Sequence, residues 1–231
     1  MSRPQIFKPQ LVPVTGTDAH LPAVPVTVLT PAALRERFAQ PPVWEVESAG
    51  DGGLAGGYSP ADASVLLPLV MRDDGLRVLL TRRTAHLRAH PGQISFPGGR
   101  VEADDGSAEA TALRETEEEI GLPRSHIDII GRLPIYTTVT AFRVTPCVAL
   151  VQAGFQLKLD DFEVAEAFEV PLQFLMDPAN HRRHRFESAG KQREFLSMPW
   201  INPAAPERPD DYFIWGATAA MLRNFYRFLR A

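Results

Sequence analysis

The chain has 231 residues, 45% of them apolar. That suffices to bury one sizeable core, excludes disorder throughout, and suits one globular unit with appendages better than two equal domains. With 24 Lys and Arg against 28 Asp and Glu, a formal charge of −4, no global field points to nucleic acid or to an anionic membrane surface.

The first twelve residues lack the apolar stretch of a secretory signal, and no later run reaches bilayer-spanning length, so a soluble, cytoplasmic protein is expected. A single cysteine, Cys147, excludes an internal disulfide. It lies in an apolar run, which makes it a small core residue rather than a nucleophile.

Residues 1–60 are rich in Pro, Ala and Gly and read as an N-terminal arm, partly helical and loop-rich. Thr30 or Pro31 is the start signal for a helix over residues 32–39. Five glycines in residues 50–57 mark a flexible boundary, because each would lose too much backbone entropy inside a regular element. Residues 61–231 then form the main domain. The apolar runs 64–71 and 76–81 flank Asp73-Asp74-Gly75 and predict a hairpin. A third strand over 93–96 is stopped by Pro97-Gly98-Gly99. Next comes a helix from about Ser107 to Ile120, capped by Ser107 or Asp105, with Glu109 at its positive end and Gly121 terminating it. Further strands are expected at 127–131, 144–151, 163–170 and 193–198, and a last helix at 216–229. Strands mixed with a few helices indicate an α+β arrangement rather than a βαβ repeat.

Chemistry concentrates on the helix. Its run Arg114-Glu115-Thr116-Glu117-Glu118-Glu119-Ile120 places Glu115, Glu118 and Glu119 within an arc of roughly 100°, with Glu117 turned away. Like charges so close weaken a helix unless a cation compensates them. Magnesium, which takes carboxylate, water and phosphate oxygens, is one such cation. Arg114, one turn before Glu118, is placed to orient it, while Leu113, Thr116 and Ile120 are placed to pack on a sheet. The plain alternative for any glutamate-rich helix is a salt-bridged outer face. What favours the metal reading is the preceding turn, Phe96-Pro97-Gly98-Gly99-Arg100, whose glycines let backbone approach a phosphate or metal closely.

Turn, loop and helix together resemble the Nudix box. Gly99, Arg114-Glu115, Thr116, Glu118-Glu119, Gly121 and Leu122 fill its places. One departure stands out: the acidic place eight before the arginine falls on Gly106, so Asp105 serves only if the loop is one residue longer. The resemblance implies the Nudix fold, a mixed β-sheet core flanked by α-helices as an α/β/α sandwich, and hydrolysis of a nucleoside diphosphate linked to another moiety.

Residues 79–99 resemble, in addition, the extra motif of the coenzyme A pyrophosphatase branch. Leu79, Leu80, Thr81, Arg83, Thr84, Leu87, Arg88, His90, Gly92, Gln93 and Phe96 fall on its positions. Physically, the run delivers Arg83, Arg88 and His90 toward the acidic helix, where they suit phosphate oxygens. Taken singly, each reads as a surface cation. The resemblance implies cleavage of coenzyme A or its derivatives to 3′,5′-ADP and 4′-phosphopantetheine. Magnesium, or manganese in its place, is the expected cofactor. A small nucleotide is the expected partner, with no nucleic acid or membrane; oligomerisation is left open.

The expected roles follow. Glu115, Glu119 and Glu118 hold metal, Glu118, Glu163 and Arg114 serve catalysis, and Arg83, Arg88, His90, Gly98 and Gly99 bind substrate. Glu163 is the first candidate for general base and Glu166 the second. The cationic run 181–185, with Lys191 and Arg193, reads either as a solvated loop or as a contact for a 3′-phosphate. Tyr212, Phe213 and Trp215 read either as core or as a platform for adenine. Alternative functions are a Nudix hydrolase of ADP-ribose, NADH or another dinucleotide, a non-catalytic Nudix-fold nucleotide sensor, and a scaffold with an incidental acidic helix.

Overall fold

The computed structural model describes residues 8–51, 60–87, 90–188, 190–208 and 212–231. The glycine-rich boundary falls largely outside them, as does Arg88. In chain order the elements are β1 (Val14–Thr17), α1 (Pro31–Ala39), β2 (Ala61–Arg72), β3 (Gly75–Arg83), β4 (Ile94–Ser95), β5 (Gly98–Arg100) and α2 (Ala108–Ile120). There follow β6 (Ile127–Arg132), β7 (Tyr136–Thr137), β8 (Phe142–Val151), β9 (Val164–Pro171) and α3 (Leu172–Leu175). The chain ends with β10 (Arg182–Ser188), β11 (Lys191–Pro199), β12 (Phe213–Trp215) and α4 (Gly216–Arg230).

Strands β2 to β9 form one mixed sheet. Its spine is the parallel pair β2 and β8, aligned from Ala61 opposite Phe142 to Val70 opposite Val151. Around it, β3, β5 and β6 pair antiparallel to this spine, and β9 pairs antiparallel to β3. The hairpin turn lies where the sequence places it, with Arg72 opposite Gly75.

β2 is apolar almost throughout because both of its faces are covered. Side chains alternate across a strand, so Leu66 joins Ala112 of α2 in one cluster, while Leu67 and Leu69 join Leu222 and Phe225 of α4 in another. Helices on both faces make the α/β/α sandwich of an α+β protein. Cys147 is fully buried on the α2 side. Burial pushes its thiol up and keeps it protonated.

A second, antiparallel sheet in the order β1-β10-β11-β12 was not anticipated. Its inward residues Leu196, Met198 and Ile214 enter the same core as α4. The run 181–185 is therefore neither a solvated loop nor a free cationic strip. His181 and His184 are buried, and Arg183 forms ion pairs with Asp18 and Glu47 at 2.8 Å each. Successive residues of a strand point to opposite faces, and Arg183, half-buried on the face opposite His184, is neutralised there by acidic partners from residues 18 and 47.

Residues 8–51 pack against this body. Thr30 Oγ1 accepts the Ala33 N–H at 3.3 Å to cap α1, and Pro31 opens it. Val24, Leu29 and Leu34 are buried in the α4 core; a fully buried leucine such as Leu34 contributes roughly 1.5–3 kcal/mol. Beyond α1, Glu47 receives Arg183, Arg223 and Arg227. Burial by itself would raise its carboxyl, but those three arginines outweigh it and hold the group at about 2.

Candidate active site

The site lies where β5 meets α2. Gly98 has φ of +149°, which side chains rarely tolerate, and a Cβ there would run into Ser64 O and Val65 Cα of β2. At Gly99 the obstruction would be the Glu115 carboxylate. The two glycines thus let the turn lie flat between β2 and the helix. Carboxylates of α2 come up against its backbone as a result.

Helix α2 is held in place by its ends and one face. Ser107 Oγ accepts the Ala110 N–H at 3.2 Å, and Gly121 ends the helix with a left-handed φ of 65°. Thr111, Ala112, Thr116 and Ile120 are buried against the sheet. Polar Thr116 is tolerated there because its hydroxyl donates to Ala112 O at 2.6 Å.

Glu119 is the most enclosed of the three clustered glutamates of α2, its side chain 8% exposed. Its Oε2 accepts the Gly98 N–H at 3.2 Å. Burial pushes its carboxyl up to about 8; the Gly98 N–H and Arg83 pull it down, and Glu163 and Glu115 push it further up. Glu115 is also raised, first by burial, against the pull of Arg114. Glu118 stays largely in solvent, 59% exposed.

Arg114 organises the remainder. Its Nη1 donates to Glu115 Oε1 at 3.0 Å and to Glu118 Oε2 at 2.9 Å, while Nη2 donates to Arg100 O at 3.1 Å. Its Nε and Nη2 grip the two oxygens of Asp105 at 3.1 and 2.9 Å. Asp105 in turn accepts the Glu102 N–H and the Thr111 hydroxyl, each at 2.9 Å. The longer loop therefore brings Asp105, rather than Gly106, to the arginine.

From the other side comes Arg83. Pairing of β3 with β9 slips by one residue there: Arg82 faces Glu166, but Arg83 faces Val164. This bulge separates the two arginines. Arg82 binds Glu166 at 2.6 Å, whereas Arg83 lies 3.8 Å from Glu119 and 3.7 Å from Glu163. Glu163, immediately before β9, thus joins the acidic cluster. Glu166 is instead engaged by Arg82, Arg208 and Tyr212, a set of neighbours unsuited to a free base. Tyr212 is fully buried and packs on Phe168, so it belongs to the core.

His90 is exposed and pairs with Gln93 at 2.8 Å. No contact joins it to the carboxylates among the described residues. Asp105 and the flanking pair His86 and Phe162 are the neighbours that sequence reasoning left without a firm role or did not single out.

Among the described residues no three His, Cys, Asp or Glu side chains form a ready-made cage for an ion. The donor set nevertheless fits a divalent, oxygen-seeking cation. It consists of carboxylates without thiol or imidazole, and burial favours the protonated form of Glu119 and Glu115 despite the nearby arginines, a preference that a bound cation would reverse.

The chain is similar to proteins already known. The NUDIX domain family matches residues 62–189. The protein named "Uncharacterized Nudix hydrolase NudL" of Enterobacter sp. (strain 638) is 40% identical over 163 residues, spanning 70% of this chain and 79% of the relative. Its namesake in Escherichia coli (strain K12) is 40% identical over 164 residues, with the same shares. Among solved structures, the MutT protein from Methanosarcina mazei Go1 is 25% identical, covers 52% of this chain and 83% of its own, and superposes with a TM-score of 0.42. No helix among the described residues is long and apolar enough to cross a membrane. On the extent of the domain match and of the shared identity, the chain belongs to the Nudix hydrolase family.

Proposed function

We propose that this Nudix hydrolase is a magnesium-dependent pyrophosphohydrolase of coenzyme A and its derivatives, releasing 3′,5′-ADP and 4′-phosphopantetheine or its acyl form. The observation that carries the reading is the position of Arg83. It belongs to the motif over residues 79–99 that resembles the coenzyme A branch, and its guanidinium stands within 4 Å of both Glu119 and Glu163. A guanidinium so placed suits the phosphate oxygens of a substrate lying over the carboxylates.

In this reading Glu115 and Glu119 are the principal ligands of magnesium, or of manganese in its place, with Glu118 completing the set. Bound there, the ion supplies charge neutralisation at the diphosphate and a more acidic water. Arg114 orients Glu115 and Glu118 and is itself fixed by Asp105. Gly98 and Gly99 keep the floor of the site open to the substrate. Glu163, 42% exposed beside Arg83, takes the proton of the attacking water. Arg88 and His90 are assigned to the substrate by the motif alone. The small nucleotide is the only partner this reading requires.

The deciding experiment supplies coenzyme A, ADP-ribose and NADH in equal amounts with magnesium and identifies the products. Coenzyme A is expected to turn over fastest, yielding 3′,5′-ADP. Turnover no faster than that of the others removes the substrate assignment; binding of all three without cleavage favours a sensor.

A further inference from the structure

Glu163 is flanked by an aromatic side chain with no evident structural duty. Phe162 is 65% exposed and is the only aromatic among the strongly exposed large hydrophobic residues described; the others are scattered aliphatic side chains. One neighbouring ring belongs to the exposed His86, with centroids 4.9 Å apart and planes inclined by 58°. The two loops that carry these rings are already joined without them. The Thr84 hydroxyl donates to Phe162 O at 2.7 Å, and Thr84 N–H to Glu163 O at 2.9 Å. Phe162 N–H is held by Asp160 at 2.9 Å. Rigid backbone thus presents a mostly wet ring one residue from Glu163, which lies 3.7 Å from Arg83.

We propose that Phe162, supported by His86, is the stacking platform for the nucleobase of the substrate. This rests on the reading of the site as one that cuts a nucleotide diphosphate. Charge decides which part of such a substrate goes there. Asp160, Asp161 and Glu163 surround Phe162 in sequence, so the segment repels phosphate and directs it toward Arg83. A flat, uncharged ring meets no such penalty, and every base offers a π face for stacking.

The test measures calorimetric binding of two non-hydrolysable probes in magnesium, α,β-methylene-ADP and methylenediphosphonate, which share the bridged diphosphate and differ by adenosine. The wild-type protein is expected to bind the adenosine probe more tightly. Phe162→Ala is expected to weaken that probe about tenfold, within the range of base stacking on aromatic residues, while methylenediphosphonate changes less than about twofold on the same scale. Phe162→Trp keeps the preference, and His86→Ala reduces it partially. Equal loss of both probes, no loss of either, or no preference in the wild type overturns the proposal. Failure of the coenzyme A assignment is distinguishable, because it leaves coenzyme A uncut while the preference for the adenosine probe persists.

Discussion

Asp105 and Arg114 meet through two parallel hydrogen bonds of 3.1 and 2.9 Å, and this clamp joins the loop before α2 to the carboxylates upon it. The Arg114 guanidinium beside Asp105 holds its carboxyl well below the usual range. Asp105→Asn leaves only one oxygen to accept and places an NH2 against a group that only donates. The apparent magnesium affinity is expected to fall about 10- to 100-fold, as for other residues that orient metal ligands. Activity titrated against magnesium measures this, and unchanged half-saturation refutes the clamp's role.

Glu119→Gln separates charge from shape. The amide oxygen still accepts the Gly98 N–H, and the cost of burying a carboxylate disappears. Turnover is expected to fall by more than about a hundredfold, with the melting temperature equal to the parent's or higher in the absence of metal. Full turnover in the variant rules out Glu119 as a metal ligand.

The two glycines of the turn are expected to fail differently. Gly98→Ala forces a side chain into a backbone conformation that costs about 1–3 kcal/mol, before its overlap with Ser64 and Val65, so denaturant unfolding should show the loss. Gly99→Ala instead displaces the Glu115 carboxylate. Its larger effect should be on turnover, and equal effects on stability and activity in both variants contradict this assignment.

His181 governs acid stability. Its Nε2 lies 2.8 Å from Leu175 O and its Nδ1 3.0 Å from Arg223 Nη1. The carbonyl only accepts and the guanidinium only donates, so the ring is neutral with its proton on Nε2. Burial, with Arg223 adding to it, depresses the ring from 6.5 to about 4. Between those values the unfolded chain binds a proton that the folded one refuses. Stability is therefore complete above about pH 6.5 and declines by about 3 kcal/mol as pH falls to about 4. His184, also lowered by burial, acts in the same direction. Glu47, held at about 2, adds its loss only at lower pH. Urea unfolding at pH 7, 5.5 and 4.5 should show the decline, and His181→Gln should make it shallower; an unchanged slope contradicts the assignment.

Much of this architecture is legible in local sequence. The caps and terminator of α2, Ser107 and Gly121, act within a turn of their own position, and the hairpin at Asp73 and Asp74 follows from chain stiffness alone. The near-continuous apolar content of β2 and β8 marks strands covered on both faces. The spacing of Glu115 and Glu119 follows from the pitch of a helix, and their context from the glycines before it.

The second sheet was hidden for a physical reason. The run His181-Arg182-Arg183-His184-Arg185 leads into and opens β10, and taken alone it belongs in water. Its two histidines are nevertheless buried, and Asp18 and Glu47, more than a hundred residues earlier, neutralise Arg183, while Arg182 and Arg185 remain exposed. Arg83 is a parallel case: alternation along β3 says only that it points opposite to Arg82, whereas the bulge against β9 decides that it meets Glu163 and Glu119.

Sequence by itself determined what depends on neighbours along the chain: the acidic helix, the glycine turn, the principal hairpin and strands, and the family those features resemble. Tertiary structure alone decided that Asp105 is the acid clamping Arg114, that Glu163 rather than Glu166 joins the cluster, and that the basic run enters a sheet with its histidines buried. The last two depend on partners distant in sequence, whose charge and register reverse the preference a residue has on its own, and the first depends on the path of the loop before α2, which the spacing along the chain leaves open.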